Sequence, residues 1–299
     1  MNIKPLPSLD LSVSPQVIPL FDETTNTATY IVKDPNSNAC AIIDSVLDID
    51  YAAGNLEYHN AKLLIDKVRE LKLNVEWIIE SHVHADHLSA APFLQQELGG
   101  KLGISNQITL VQETFGKIFN EGTEFQRDGS QFDELFADGD TYSIGSLTAT
   151  VLHTPGHTPA CTTHVIGDAV FVGDTFFMPD GGTGRADFPG GDARELYRSM
   201  QRVLSLPDAV RVFVCHDYGP NGREFKWETT IGEQRKNVHL QQCKTEEEYV
   251  AMREARDATL SAPKLIIPSL QVNMRAGNLP KDEQGNVMLK VPLNRLTNT

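Results

Sequence analysis

The sequence runs to 299 residues, 40% hydrophobic and 22% charged, which is an ordinary globular composition. A chain this long buries most of the surface its unfolded form exposes, so it needs no disulfide or structural metal to fold, and any metal it holds is expected to be catalytic. Forty acidic against 26 basic residues give a formal charge of −14. That field repels phosphate backbones and anionic lipid, so no nucleic-acid or membrane partner is expected.

The cysteines, Cys40, Cys161, Cys215 and Cys243, lie far apart with no C-x-x-C pair. This pattern fits reduced thiols and a cytoplasmic location. Met1 to Pro15 has one lysine and no apolar stretch, so no signal peptide is expected. No run approaches the ~18 apolar residues of a membrane span.

In chain order, short strands are predicted at Val17–Leu20, Thr27–Val32 and Cys40–Ile43, separated by turn-forming stretches such as Asp34-Pro35-Asn36-Ser37-Asn38. Leu64, Val68 and Leu71 recur at helical spacing. Val75–Ile79 reads as a buried strand that delivers the chain to His82, and a helix follows at about Ala90–Leu98, stopped by Gly99-Gly100. Leu147–Leu152 is a strand ending at Thr154-Pro155-Gly156-His157. Cys161–Ile166 and Ala169–Val172 form a hairpin that ends at Gly173-Asp174. Leu196, Met200, Val203 and Leu204 mark a helix, Val210–Cys215 a strand ending at His216-Asp217-Tyr218, and Thr245-Glu246-Glu247-Glu248 a capping box opening a helix to about Asp257. Leu265–Pro268 and Val287–Val291 read as edge strands or an extended arm. The expectation is one α/β domain over 1–299, with a C-terminal extension from about 262.

The loop Ser81-His82-Val83-His84-Ala85-Asp86-His87 places four ligand-type side chains within six residues, at a strand end where loops carry function. His157, Asp174 and His216 each lie just past the apolar run of another predicted strand. Strand ends on one sheet edge converge, so these seven residues can offer two triads, with Asp174 able to bridge them. One metal or two can be accommodated.

The H-x-H-x-D-H loop, Thr154-Pro155-Gly156-His157-Thr158, Gly173-Asp174 and the late His216 together resemble the metallo-β-lactamase superfamily. The resemblance implies an αβ/βα sandwich of two mixed sheets flanked by helices. Within that superfamily, Thr154 to Cys161, Gly184-Arg185-Ala186-Asp187-Phe188, His216-Asp217-Tyr218 and Pro268 to Gly277 look like the persulfide dioxygenases (sulfur dioxygenases). Thr183 departs from the better-known members, which have Cys there, as does the longer tail after Gly277. The resemblance implies oxidation of glutathione persulfide by O₂ to sulfite and glutathione. It also implies one Fe(II) per chain held by His82, His157 and Asp174, and a homodimer. A 2-His-1-carboxylate face leaves three positions open for a persulfide sulfur and O₂. His84, Asp86, His87 and His216 then act around the metal or hold a second one. Arg185 is expected at a glutathione carboxylate, with an ion pair to Asp180 or Asp187 as its alternative, and Tyr218 near the reacting sulfur.

The alternative is a dinuclear zinc (Zn²⁺) thioester hydrolase of the glyoxalase II type, against which Cys161 and the Met274-Arg275 segment speak. A non-enzymatic metal-binding scaffold is a third reading, disfavoured because every ligand position is filled. Cys161 is expected to be a packing residue, and His59, His153, His164 and His239 are not expected to be ligands. Asp180–Gly184 lacks the Lys of a phosphate-binding loop.

Overall fold

Strands apolar on both faces must be covered on both faces, and this requirement organises the chain. The computed structural model describes residues 4–296. The first half supplies β1 (Gln16–Asp22), β2 (Thr27–Lys33), β3 (Ala39–Ile43), β4 (Val46–Asp50), β5 (Asn55–Glu57) and α1 (His59–Glu70). It continues with β6 (Asn74–Ile79), β7 (Leu88–Ser89), α2 (Ala91–Leu98), β8 (Lys101–Ser105), α3 (Ile108–Ile118) and β9 (Glu134–Phe136). The second half supplies β10 (Thr141–Ile144), β11 (Leu147–His153), β12 (Thr162–Ile166), β13 (Ala169–Phe171), α4 (Ala193–Leu204), β14 (Arg211–Phe213) and β15 (Glu228–Thr230). Helices α5 (Ile231–Gln234), α6 (Val238–Gln242), α7 (Glu246–Asp257) and α8 (Ile266–Asn273) follow.

Two six-stranded sheets result, ordered β1-β2-β3-β6-β8-β9 and β10-β11-β12-β13-β14-β15, with a small third sheet β5-β4-β7. The large sheets pack face to face. Tyr30, Ile43 and Ile79 of one share a buried cluster with Val151, Phe171 and Phe213 of the other. The Tyr30 ring stands edge-on to Phe171 and Phe213, at centroid distances of 5.3 and 5.4 Å. Strand alternation divides β3 between two cores: Ile43 points between the sheets, while Ile42 points outward to Leu64, Leu94, Phe115 and Leu270 of the covering helices. Helices α4 and α7 cover the second sheet, where Leu196, Met200 and Tyr249 join Val165 and Val212. This is the expected αβ/βα sandwich.

The C-terminal part differs from expectation. Leu265–Pro268 is no edge strand: Leu265 caps α8 and Pro268 falls in its first turns, where a missing N–H costs nothing. Ile266, Leu270, Val272, Met274 and Ala276 belong to the first core, so the segment through 277 is integral to it and only the residues beyond form an extension. Val287–Val291 is not a strand either. It is an arm, tied to α8 by Lys290 N donating to Gln271 Oε1 at 2.8 Å and Gln271 Nε2 donating to the Lys290 carbonyl at 3.0 Å.

Candidate metal centre

Strand direction brings the ligand-type residues together. β3 and β6 are parallel, so Asp44 and His82 leave the first sheet at the same edge. In the second sheet β11, β13 and β14 run in one direction, so His157, Asp174 and His216 leave at one edge as well. The sheets are tied there by Thr162, whose N–H donates to the Ser81 carbonyl at 2.9 Å.

All seven predicted residues converge. Ligand atoms of His82, His157 and Asp174 lie within 4.8 Å of one another, and so do those of His84, His87, Cys215 and His216. His84, expected outside the ligand set, thus has a ligand-capable nitrogen facing the second group. Asp86 Oδ2 lies 3.2 Å from His216 Nε2, and Asp174 Oδ1 lies 3.3 Å from the same nitrogen, so Asp174 does stand between the groups.

Hydrogen bonds fix how each ring is presented. His157 Nδ1 donates to the Arg185 carbonyl at 2.7 Å, His87 Nδ1 to the Leu88 carbonyl at 3.2 Å, and His216 Nδ1 to the Asn26 carbonyl at 3.2 Å. Each leaves an Nε2 lone pair facing inward. His84 is turned the other way, with Nε2 3.0 Å from Asp44 Oδ1 and 3.3 Å from Glu80 Oε2, which leaves Nδ1 facing inward. Asp44 also accepts from Ser81 N at 2.7 Å and Ser81 Oγ at 2.8 Å. Burial pushes the Asp44 carboxyl up, but the His84 ring and these donors outweigh it and hold it at about 2. Burial, reinforced by the neighbouring rings, pushes His82 well below the usual histidine range; burial and His84 push His87 down to about 3.

Both rings therefore stay neutral and able to donate a lone pair. His82 Nε2, His84 Nδ1, His87 Nε2, His216 Nε2 and Asp174 Oδ1 are buried without a hydrogen-bond partner. Five such atoms left unpaired would be costly in a protein interior, and bound cations remove that cost. The residues fit a bound metal.

Sequence reasoning missed the support of this centre. Asp44 and Glu80 were two acids among many, recognisable only once β3 and β6 are paired. Asn273, on α8, holds the ligand loop by its main chain: Nδ2 donates to the carbonyls of His84 at 2.9 Å and His87 at 2.8 Å, while Oδ1 accepts from Ser89 N at 2.8 Å. Cys215 belongs to the second group, a placement that its sequence neighbours do not signal. Cys161 is buried, accepts from Thr158 N at 3.3 Å, and has its thiol pushed by burial up to about 12, so it packs and does not attack.

Arg185 is paired within the chain. Its guanidinium is held bidentately by Asp187 at 2.6 and 2.7 Å and donates to the Ser261 carbonyl at 2.8 Å. A carboxylate two residues away already fills the fork, so the ion-pair alternative describes the side chain, and its main-chain carbonyl serves the centre. Arg223 is likewise paired, with Asp180 and Asp217, and Arg275 with Glu121. Tyr218 is 53% exposed, its ring 6.2 Å from that of His216 and 5.6 Å from that of Phe177, which places a phenol at the mouth.

Residues 23–216 match the family described as the metallo-beta-lactamase superfamily. The chain belongs to the metallo-beta-lactamase superfamily. A probable metallo-hydrolase of Burkholderia pseudomallei (strain 1710b) is 52% identical over 92% of this chain and 98% of its own length. Glyoxylase B2 of Dictyostelium discoideum is 48% identical over 93% of this chain and 97% of its own. More distantly, the mitochondrial persulfide dioxygenase ETHE1 of Homo sapiens is 28% identical over 86% of this chain and 87% of its own. Among solved structures, ETHE1 from Myxococcus xanthus superposes with a TM-score of 0.70 at 29% identity, covering 88% of this chain and all of that one. The superfamily match and the paired ligand groups make this a metallo-enzyme fold with a buried metal-binding centre. Among the described residues, no helix is long and apolar enough to cross a membrane.

Proposed function

We propose that the protein is an iron-dependent persulfide dioxygenase that converts glutathione persulfide, O₂ and water to glutathione and sulfite. Two sulfite oxygens come from O₂ and the third from water; the sulfur–sulfur bond breaks and two protons are released. The observation that carries this reading is that the ligand atoms of His82, His157 and Asp174 form one compact buried group, two imidazoles and one carboxylate. Such a face leaves room on Fe(II) for both reactants. Iron bound there would supply the redox chemistry that O₂ requires. The remaining work falls to the chain's own residues: the Arg185 carbonyl orients His157, burial of the rings excludes bulk water, and Tyr218 offers its hydroxyl to the persulfide entering at the mouth.

A second reading is a two-zinc thioester hydrolase. It is favoured by the second buried group, in which the Nε2 atoms of His87 and His216 have no hydrogen-bond partner, and by the name of one more similar relative, a probable metallo-hydrolase. An oxygen electrode separates the two. Iron-loaded protein should consume O₂ with glutathione persulfide and yield sulfite, and zinc-loaded protein should not, because Zn²⁺ has no accessible redox change. Fast cleavage of S-lactoylglutathione by the zinc form, with no O₂ uptake by the iron form, would replace the first reading with the second.

A further inference from the structure

The carbonyl of Arg185 and the amide N–H of Ala186 belong to one planar, conjugated peptide unit. At one end the carbonyl accepts from His157 Nδ1 at 2.7 Å; at the other the N–H donates to Asp257 Oδ2 at 2.9 Å. His157, Ala186 and Asp257 are all buried. We infer that Asp257 is a positioning residue for the metal centre, acting on His157 through the Arg185–Ala186 peptide.

The physical case has two parts. A carboxylate at an amide N–H draws the peptide's polarisation toward its carbonyl, making that oxygen a stronger acceptor. An imidazole whose N–H meets a stronger acceptor is a better electron-pair donor at its other nitrogen, as when a carboxylate stands directly behind a metal-bound histidine. Here one amide is interposed.

The second part is rigidity. Arg253 Nη2 donates to the other Asp257 oxygen at 2.5 Å, and Arg253 Nη1 donates to the Thr183 carbonyl at 3.1 Å. The Thr183 hydroxyl lies 2.8 Å from the Tyr249 hydroxyl and 3.1 Å from His239 Nδ1. Helix α7 therefore clamps the loop from 183 to 186 at several points, but only Asp257 reaches the peptide that His157 touches. The other points anchor the loop without a route to the ring, which separates tuning from simple anchorage.

The inference rests on His157 as a metal ligand, as in the proposed function, but not on which metal or reaction is involved. The test uses the full chain stripped of metal and reloaded with Co²⁺. The readouts are the dissociation constant by chelator competition and the solvent-exchangeable, hyperfine-shifted proton of His157 Nδ1 in the NMR spectrum. Asp257→Asn keeps an acceptor and removes the charge; it should weaken Co²⁺ binding roughly 5- to 10-fold and move that proton resonance. Because Asp257→Asn strands the buried Arg253 guanidinium, the double variant D257N/R253M carries the same expectation with that charge removed. Thr183→Val loosens the same loop and should lower Tm while leaving both readouts in place. Unchanged binding and resonance in both Asp257 variants would overturn the inference, as would an equal effect of Thr183→Val. Failure of the wild-type chain to bind Co²⁺, Zn²⁺ or Fe²⁺ at all would overturn the metal reading instead.

Discussion

Asn273 donates from Nδ2 to the carbonyl of His87 at 2.8 Å, joining two residues 186 positions apart in the chain. The same amide donates to the His84 carbonyl, and its oxygen accepts from Ser89, so one side chain closes the ligand loop from outside the matched family region. Replacing Asn273 with Ala leaves two carbonyls and one N–H buried without partners. At roughly 1–3 kcal/mol for each unsatisfied group, a total loss of several kcal/mol is expected. Denaturant titration of the metal-free protein measures it, and metal content after purification should fall in parallel. A loss below about 1 kcal/mol would mean that water takes over those bonds.

Arg185→Ala separates a structural from a substrate-binding role. The guanidinium is bound by Asp187 and Ser261, and stacks 4.7 Å from the Phe188 ring centroid, which in turn lies 5.6 Å from His157. The expected result is lower Tm with bound metal, and KM for the proposed substrate glutathione persulfide, within about twofold, since breaking one partly exposed pair costs on the order of 1 kcal/mol. A large rise in KM at constant Tm would return Arg185 to the substrate.

Some of this was legible in the sequence and some was not, for physical reasons. The ligand loop announces itself because three histidines and an aspartate at fixed spacing have little use elsewhere, and the strands before His157, Asp174 and His216 show as apolar runs. Asp44 has no such signature. Its left-handed backbone, at φ 54°, and its grip on His84 depend on β3 lying beside β6, a pairing of residues far apart in sequence. Leu265–Pro268 is a short apolar run whose length fits either a strand or a helix, and periodicity alone cannot decide. The sheet β5-β4-β7 went unseen because its strands are two to five residues long.

Acid stability should carry the mark of Asp34, remote from the metal. Burial raises its carboxyl, but donors from Ser146, Ser37 and Asn36 outweigh burial and hold it at about 2. A carboxylate depressed in the folded state contributes stability that is present above its ordinary value and is lost as pH falls through the depressed one. The Tm difference between wild type and Asp34→Asn should therefore be constant above about pH 4 and shrink toward pH 2. A difference independent of pH over that window would show that the Asp34 carboxyl is not held below its ordinary range in the folded state.

Metal stoichiometry reads the two ligand groups apart. Asp174→Ala removes the carboxylate shared between them and should leave no tightly bound metal. His84→Ala removes a nitrogen of the second group and the ring that separates the Asp44 and Glu80 carboxylates, so metal should fall only in part while Tm drops sharply. Elemental analysis of protein loaded under identical conditions checks both. Complete loss in the His84 variant would place that ring in the set that holds the catalytic metal.

Gly156 gives the most demanding prediction, because it concerns a residue with no side chain. Its φ of +137° is open to glycine and strained for other residues, and a Cβ there would overlap the backbone of Leu196 in the first turn of α4. That turn cannot yield: Asp192 caps it by accepting from Arg194 N at 2.7 Å and Glu195 N at 2.9 Å, and Asp192 N donates to the Gly156 carbonyl at 2.8 Å. Strain must therefore fall on the next residue, His157, whose ring is aimed by a single bond to the Arg185 carbonyl. Gly156→Ala should destabilise by more than about 3 kcal/mol, combining backbone strain with overpacking. It should also lose metal affinity beyond what the fall in stability explains, which is checked by loading metal well below the variant's melting transition. If folded Gly156→Ala binds metal as wild type does, the helix shifts instead of the ligand, and the tight approach of α4 to the loop serves packing alone.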